Sequence, residues 1–161
     1  MADGSITKRG DRYRARYRNP DSGRQYERTF ARKADAKRWL TTALSDLERG
    51  RWVDPTAGRV SFGDYYEAYA ARQTWATGTV RAMDLAARST TFWDAPIGRI
   101  RASHLESWVK AMTTGQGDEK PLAASTIRTR LSNVRSVFRA AVADEVLAVD
   151  PSSKMAKPKG R

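Results

Sequence analysis

The 161-residue chain has no cysteine and a single histidine, His104, and those two scarcities remove most catalytic and metal-binding chemistry at once. Without thiols there are no disulfides and no thiolate metal sites, and a reducing cytoplasm is permitted. His104 follows Ser103 at the start of a predicted helix and has no ligand partners at metal-binding spacing, so it reads as structural. No glycine-rich phosphate loop, carboxylate pair or nucleophile–base set is present, so no catalytic constellation can be assembled. No cofactor and no small-molecule substrate are expected. No apolar run approaches bilayer length, and Met1-Ala2-Asp3-Gly4-Ser5 lacks the apolar stretch of a signal peptide. The expectation is a soluble chain without membrane contact, intracellular by default.

Acidic residues are also in short supply. Eighteen Asp/Glu face thirty Lys/Arg, a net charge of +12. An excess of this size favours a polyanionic partner held through salt-sensitive phosphate contacts. The excess is concentrated: between Lys8 and Lys33 ten Lys/Arg stand against Asp11, Asp21 and Glu27, net +7.

Within that stretch, Arg12-Tyr13-Arg14-Ala15-Arg16-Tyr17-Arg18 places arginine at every second position. Side chains of a strand alternate between faces, so Arg12, Arg14, Arg16 and Arg18 would line one face and Tyr13, Ala15 and Tyr17 the other. The arginine face is too cationic to bury unpaired and must meet water or a polyanion. Charges also protect edge strands from aggregation, but four aligned arginines opposite two tyrosines exceed what that protection needs. Arginine suits bidentate contact with guanine. Some of the four must hold phosphates rather than bases, and the middle pair, Arg14 and Arg16, are the candidates for base reading.

The chain reads as α+β in two parts. Ser5–Lys8 predicts a strand, Arg9-Gly10-Asp11 a tight turn, the arginine run a second strand, and Asn19-Pro20-Asp21-Ser22-Gly23 a turn. Arg24 to Phe30 predicts a third strand. Ala34, Trp39, Leu40, Ala43, Leu44 and Leu47 recur at helical spacing until Gly50. This is a three-stranded antiparallel sheet with one packed helix over residues 1–50, its core drawn from Tyr13, Tyr17, Phe30, Trp39 and Leu40. Residues 51–60 read as a Pro/Gly-bearing linker. An all-α bundle of four to five helices follows over 61–153. Its helices start near Ser61 with Phe62, Tyr65, Tyr66 and Tyr69, and then span Thr79–Phe92, Ser103–Met112 and Ser125–Val142, with a mobile loop from Thr113 to Pro121. In the last helix Ile127, Leu131, Val134, Phe138, Ala141 and Val142 keep the apolar rhythm, while Arg128, Ser132, Arg135 and Arg139 share a polar flank. Residues 154–161 form a basic tail.

Taken together, Tyr13–Asp21, Arg28–Leu40, Ser61-Phe62-Gly63-Asp64-Tyr65, Pro96-Ile97-Gly98-Arg99-Ile100, Ser125-Thr126-Ile127-Arg128, Ala140–Asp144 and Asp150-Pro151 resemble the N-terminal half of a phage-type tyrosine recombinase, an integrase of actinobacterial phages and integrative elements. The resemblance implies an arm-binding domain whose sheet enters the DNA major groove, then a helical core-binding domain that clamps the crossover site. It also implies a bacterial host cytoplasm, double-stranded DNA as partner and oligomers on DNA in the full-length protein. The family's C-terminal catalytic domain brings arginines, a lysine, histidines and a nucleophilic tyrosine. Here the last tyrosine is Tyr69, so this chain is expected to bind DNA without cutting it, ahead of an absent catalytic domain. Tyr65, Tyr66 and Tyr69 read as core aromatics rather than nucleophiles, and Arg9-Gly10-Asp11 as a turn.

The DNA-binding candidates therefore comprise Arg12, Arg14, Arg16, Arg18, Arg24, Glu27, Arg28, Lys33, Arg81, Arg128, Arg130, Arg135 and Lys157. Glu27 either accepts from a cytosine amine or pairs with a neighbouring arginine. Arg28 shares parity with Tyr26 and Phe30, so either a bulge re-aims it or it lies at the sheet margin. Lys33 opens a helix, where backbone N–H groups favour phosphate. Two other readings stand beside the integrase one: a stand-alone regulator that occupies DNA sites without recombining them, and a non-specific nucleic-acid-binding basic protein.

Overall fold

The structure is a computed structural model that describes residues 3–155. It divides into two compact units, one ending at Trp52 and the other beginning at Val53, and the architecture is α+β as the sequence predicts.

In the first unit, β1 (Gly4–Arg9), β2 (Arg12–Arg18) and β3 (Gln25–Phe30) form an antiparallel sheet in the order β1-β2-β3. Helix α1 (Lys33–Glu48) packs on one face. Arg9 pairs with Arg12 across a two-residue loop, and Gly10 leads that loop with φ +58°, a conformation glycine adopts without steric cost. The second turn is built on Asn19. Its buried side-chain oxygen accepts from the Asp21 N–H at 2.8 Å, the Asx pattern that favours asparagine in turns. The register then runs without a break from Tyr13↔Phe30 to Arg18↔Gln25.

Alternation puts Ala15 and Tyr17 in the core against α1, as predicted, and Tyr26 joins them. Tyr17 stacks on Tyr26 with ring centroids 5.5 Å apart, and Trp39 of α1 meets Tyr17 at 5.2 Å and Phe30 at 5.8 Å. Trp52 completes the cluster. Its indole N–H donates to the Tyr17 hydroxyl at 2.9 Å, and its ring stands edge-on to Tyr26 at 5.0 Å. The segment whose composition suggests a linker thus contributes Trp52 to the first core. An indole left in water would forfeit the apolar area and the hydrogen bond that the sheet's inner face offers.

The second unit comprises α2 (Phe62–Ala71), α3 (Thr77–Arg88), α4 (Ala102–Thr114) and α5 (Ala124–Ala143). Short 3₁₀ turns lie at Ala57–Arg59, Ile97–Arg99 and Pro151–Lys154. Phe62, Tyr66, Ile97, Leu105, Trp108, Val134, Val137 and Phe138 form its fully buried centre. Ser61 caps α2 by accepting from the Asp64 N–H at 3.0 Å. His104 has a structural role: its Nδ1 accepts from the Arg101 N–H at 2.9 Å where α4 begins.

Three local expectations change. The helix expected to reach Phe92 ends at Arg88. The hydroxyls of Ser89 and Thr90 donate to the carbonyls of Ala86 and Ala87, competing with the helical ladder, and Phe92 turns inward onto Phe62 and Phe138. The segment expected to be a mobile loop after Met112 is tied at its base, where the Leu122 N–H donates to the Met112 carbonyl at 2.9 Å. Finally, Gly58 of the expected linker packs backbone-to-backbone on Gly98: a Cβ at Gly58 would lie 2.8 Å from the Gly98 Cα.

Candidate nucleic-acid interface

The sheet face away from α1 is set by the period of two. Arg12, Arg14, Arg16 and Arg18 all fall on it, with Arg12, Arg16 and Arg18 exposed and Arg14 half-buried. Register extends the face sideways. Thr7 and Thr29 lie opposite Arg14, Ser5 and Glu27 opposite Arg16, Arg9 opposite Arg12 and Gln25 opposite Arg18. Five arginines and a set of small or amide side chains therefore share one surface, on which Glu27 is the one carboxylate contributed by the three strands, with Asp3 just before β1 beside Arg18 and Gln25.

Three of these arginines have a partner within the unit. Arg16 Nε donates to Ser5 Oγ at 3.0 Å. Arg14 Nη1 lies 4.0 Å from Glu27 Oε2. Arg18 Nη1 donates to the Gly23 carbonyl at 2.6 Å, bracing the β2–β3 turn. Such prior ordering lowers the side-chain entropy lost on binding. Chemically the face offers planar guanidinium donors for phosphates and guanines, hydroxyls, and one acceptor group.

Arg24 and Arg28 lie elsewhere. Both share parity with Tyr26, Arg28 within edge strand β3 and Arg24 just before it, and so fall on the α1 side. Their guanidinium carbons sit over the rings of Tyr26 at 5.5 Å and Phe30 at 5.3 Å. Of the two possibilities for Arg28, the unbroken register excludes a bulge. The side chain escapes burial at the open edge, its stem along the aromatic surface and its charge in water. Lys33 is the first residue of α1, behind Arg32, which makes no side-chain cap hydrogen bond.

In the second unit Arg128, Ser132, Arg135 and Arg139 line a shallow cavity of about 290 Å³ along α5. Arg135 Nε is buried there without a hydrogen-bond partner, and among the described residues no carboxylate pairs with Arg128, Arg135 or Arg139. Arg130 lies off this stripe, lining a separate depression with Trp108 and Lys120. Arg81 is exposed on α3. Lys157 lies outside the described residues. Residues missing from the sequence-derived set are Ser5, Thr7, Arg9, Gln25, Thr29 and Arg139. The two-residue Gly10-Asp11 turn was the signal for the β1 members, since it forces Arg9 opposite Arg12 and fixes every pair behind it.

Residues 3–49 match the family model described as phage integrase, N-terminal domain. The sheet-and-helix unit is thus similar to the N-terminal domain of phage integrases. No curated protein and no solved structure matches the chain. The match spans the whole sheet and α1, so the arginine comb lies within the matched segment. The helical unit lies beyond the matched residues. Among the described residues no helix is long and apolar enough to cross a membrane.

Proposed function

We propose that the chain is the DNA-binding portion of a site-specific tyrosine recombinase, carrying two tethered modules for two kinds of duplex site. The observation that carries this reading is the comb: a solvent-facing arginine array on the sheet of an integrase N-terminal domain. That sheet reads a short arm-type site in the major groove. Arg14 and Arg16 contact base edges, and Arg12, Arg18 and Arg9 contact phosphates on either side. The helical unit grips a core-type site chiefly through phosphates and DNA shape, with the α5 stripe of Arg128, Arg135 and Arg139 as its main cationic surface. Covalent linkage raises the effective concentration of the second module once the first has bound. In the parent recombinase the two modules hold attachment sites together while its catalytic domain exchanges strands.

The test is selection of duplexes from a random library at physiological salt, with the native chain beside an Arg14→Ala/Arg16→Ala variant. Two unrelated motifs are expected, one of them missing from the variant's selection. Binding without any motif, fading smoothly as salt rises, would reduce the comb to a generic polyanion surface.

A further inference from the structure

Glu27 is the one strand residue of the comb face whose charge opposes DNA binding. It lies directly opposite Arg16 in the β2–β3 ladder, and its carboxylate is half-exposed and 4.0 Å from Arg14 Nη1. An ion pair that long and that open contributes little to stability. A carboxylate at this position repels phosphates and every acceptor on a base edge, so its presence on a DNA-reading face needs a donor to offset it.

The major groove supplies two kinds of amine donor. Adenine sets its amine beside the N7 acceptor, which a carboxylate meets unfavourably, whereas cytosine presents its N4 amine without an adjacent acceptor. The guanine paired with that cytosine shows O6 and N7, the acceptor pair that a guanidinium bridges. Arg16 is prepared for that contact, because Ser5 occupies its Nε and leaves the two terminal nitrogens. Neighbouring strands lie about 4.8 Å apart, so an opposed pair of side chains spans a single base pair rather than two.

We infer that Arg16 and Glu27 together read one G·C base pair in one orientation, Arg16 on the guanine and Glu27 on its cytosine. The inference rests on the sheet being a duplex-DNA reader. Arg14 offsets the carboxylate's repulsion of the surrounding phosphates and reads a further position. Same-face residues on a strand are about 6.6 Å apart, close to two base-pair steps of about 3.4 Å, which places the Arg14 contact two steps away. Glu27 acts here chiefly by exclusion: reversed C·G pairs and A·T pairs leave the carboxylate facing an acceptor or a methyl group.

The experiment is the same duplex selection with the full chain, comparing native protein, Glu27→Gln and Arg14→Ala/Arg16→Ala, followed by titration of single-position variants of the selected site. Glutamine keeps the size of Glu27 but presents both a donor and an acceptor. The native chain should prefer the oriented G·C pair by roughly 5- to 150-fold over its alternatives. In Glu27→Gln that preference should collapse at one position alone, while affinity for random duplex rises. If Glu27→Gln instead scales binding to all duplexes by one factor, Glu27 is only a partner of Arg14 and the inference falls. An Arg14→Ala/Arg16→Ala chain that selects the native motifs unchanged would overturn the sheet-reading function itself, a distinct result.

Discussion

Single residues hold the small first unit together. A domain of about fifty residues buries little surface and is marginal on that account, so Trp52, the last residue of that unit, matters more than its position suggests. It closes the aromatic cluster over Tyr17 and Tyr26. Trp52→Ala should destabilise the first unit by about 2–4 kcal/mol, and Trp52→Phe by about 1 kcal/mol for the lost hydrogen bond. Urea unfolding of the full chain, followed by hydrogen exchange of β2 amides, would show the sheet opening before the helices. In the second unit, burial keeps the phenols of Tyr65 and Tyr66 protonated well above the ordinary tyrosine range, and each donates to a carboxylate, Asp144 and Asp84 respectively. A raised native pKa means the unfolded chain loses its protons first. The stabilisation is therefore complete below about pH 10 and is lost as pH climbs beyond it. Thermal melts between pH 8 and 11 should show Tm falling above pH 10, and Tyr66→Phe should flatten that fall. The comb, Tyr17, His104 and the core role of the tyrosines were legible from local pattern. Trp52 was not, because proline and glycine around it carry the signature of a linker.

Elements meet through contacts that periodicity does not report. The turn at Ala57–Arg59 crosses the turn at Ile97–Arg99 at Gly58 and Gly98. An alanine Cβ at Gly98 would stand 3.1 Å from the Gly58 Cα and carbonyl oxygen, backbone atoms that cannot move aside cheaply. Gly98→Ala should cost about 1–3 kcal/mol, measured as a lower Tm of the helical unit. Gly78→Ala is the matching control. Gly78 sits in α3, where an added Cβ would meet nothing within 4 Å, so alanine there should stabilise slightly, by about 0.5 kcal/mol. Equal effects at the two positions would contradict the close crossing. The same limit explains why apolar spacing predicts an end for α3 four residues too late. The spacing continues through Phe92, and only the competing hydroxyls of Ser89 and Thr90 end the helix.

Across the whole molecule the net charge of +12 makes affinity for duplex DNA strongly salt-dependent. Removing one phosphate contact lowers the slope of log K against log salt by about 1 and weakens all sequences alike. Arg135→Ala, on the α5 stripe, should behave this way and leave the selected motifs intact, whereas Arg14→Ala/Arg16→Ala should erase one motif. A salt titration of both variants against the same duplexes separates the two behaviours. What the sequence determined by itself was everything governed by short periods: the arginine face, the apolar stripe of α5, the α+β order and the basic excess. Tertiary structure decided which β3 side chains stand beside the comb, while the tight Gly10-Asp11 turn already fixes those of β1. Strand register brought Ser5 and Glu27 to flank Arg16 and carried Arg28 out over the edge at Phe30. The reason is physical. Alternation along a strand is a property of one residue and its neighbours, but a side chain's partners across the sheet are set by turn geometry and shared burial, and beyond a two-residue turn their separation in sequence leaves no local trace.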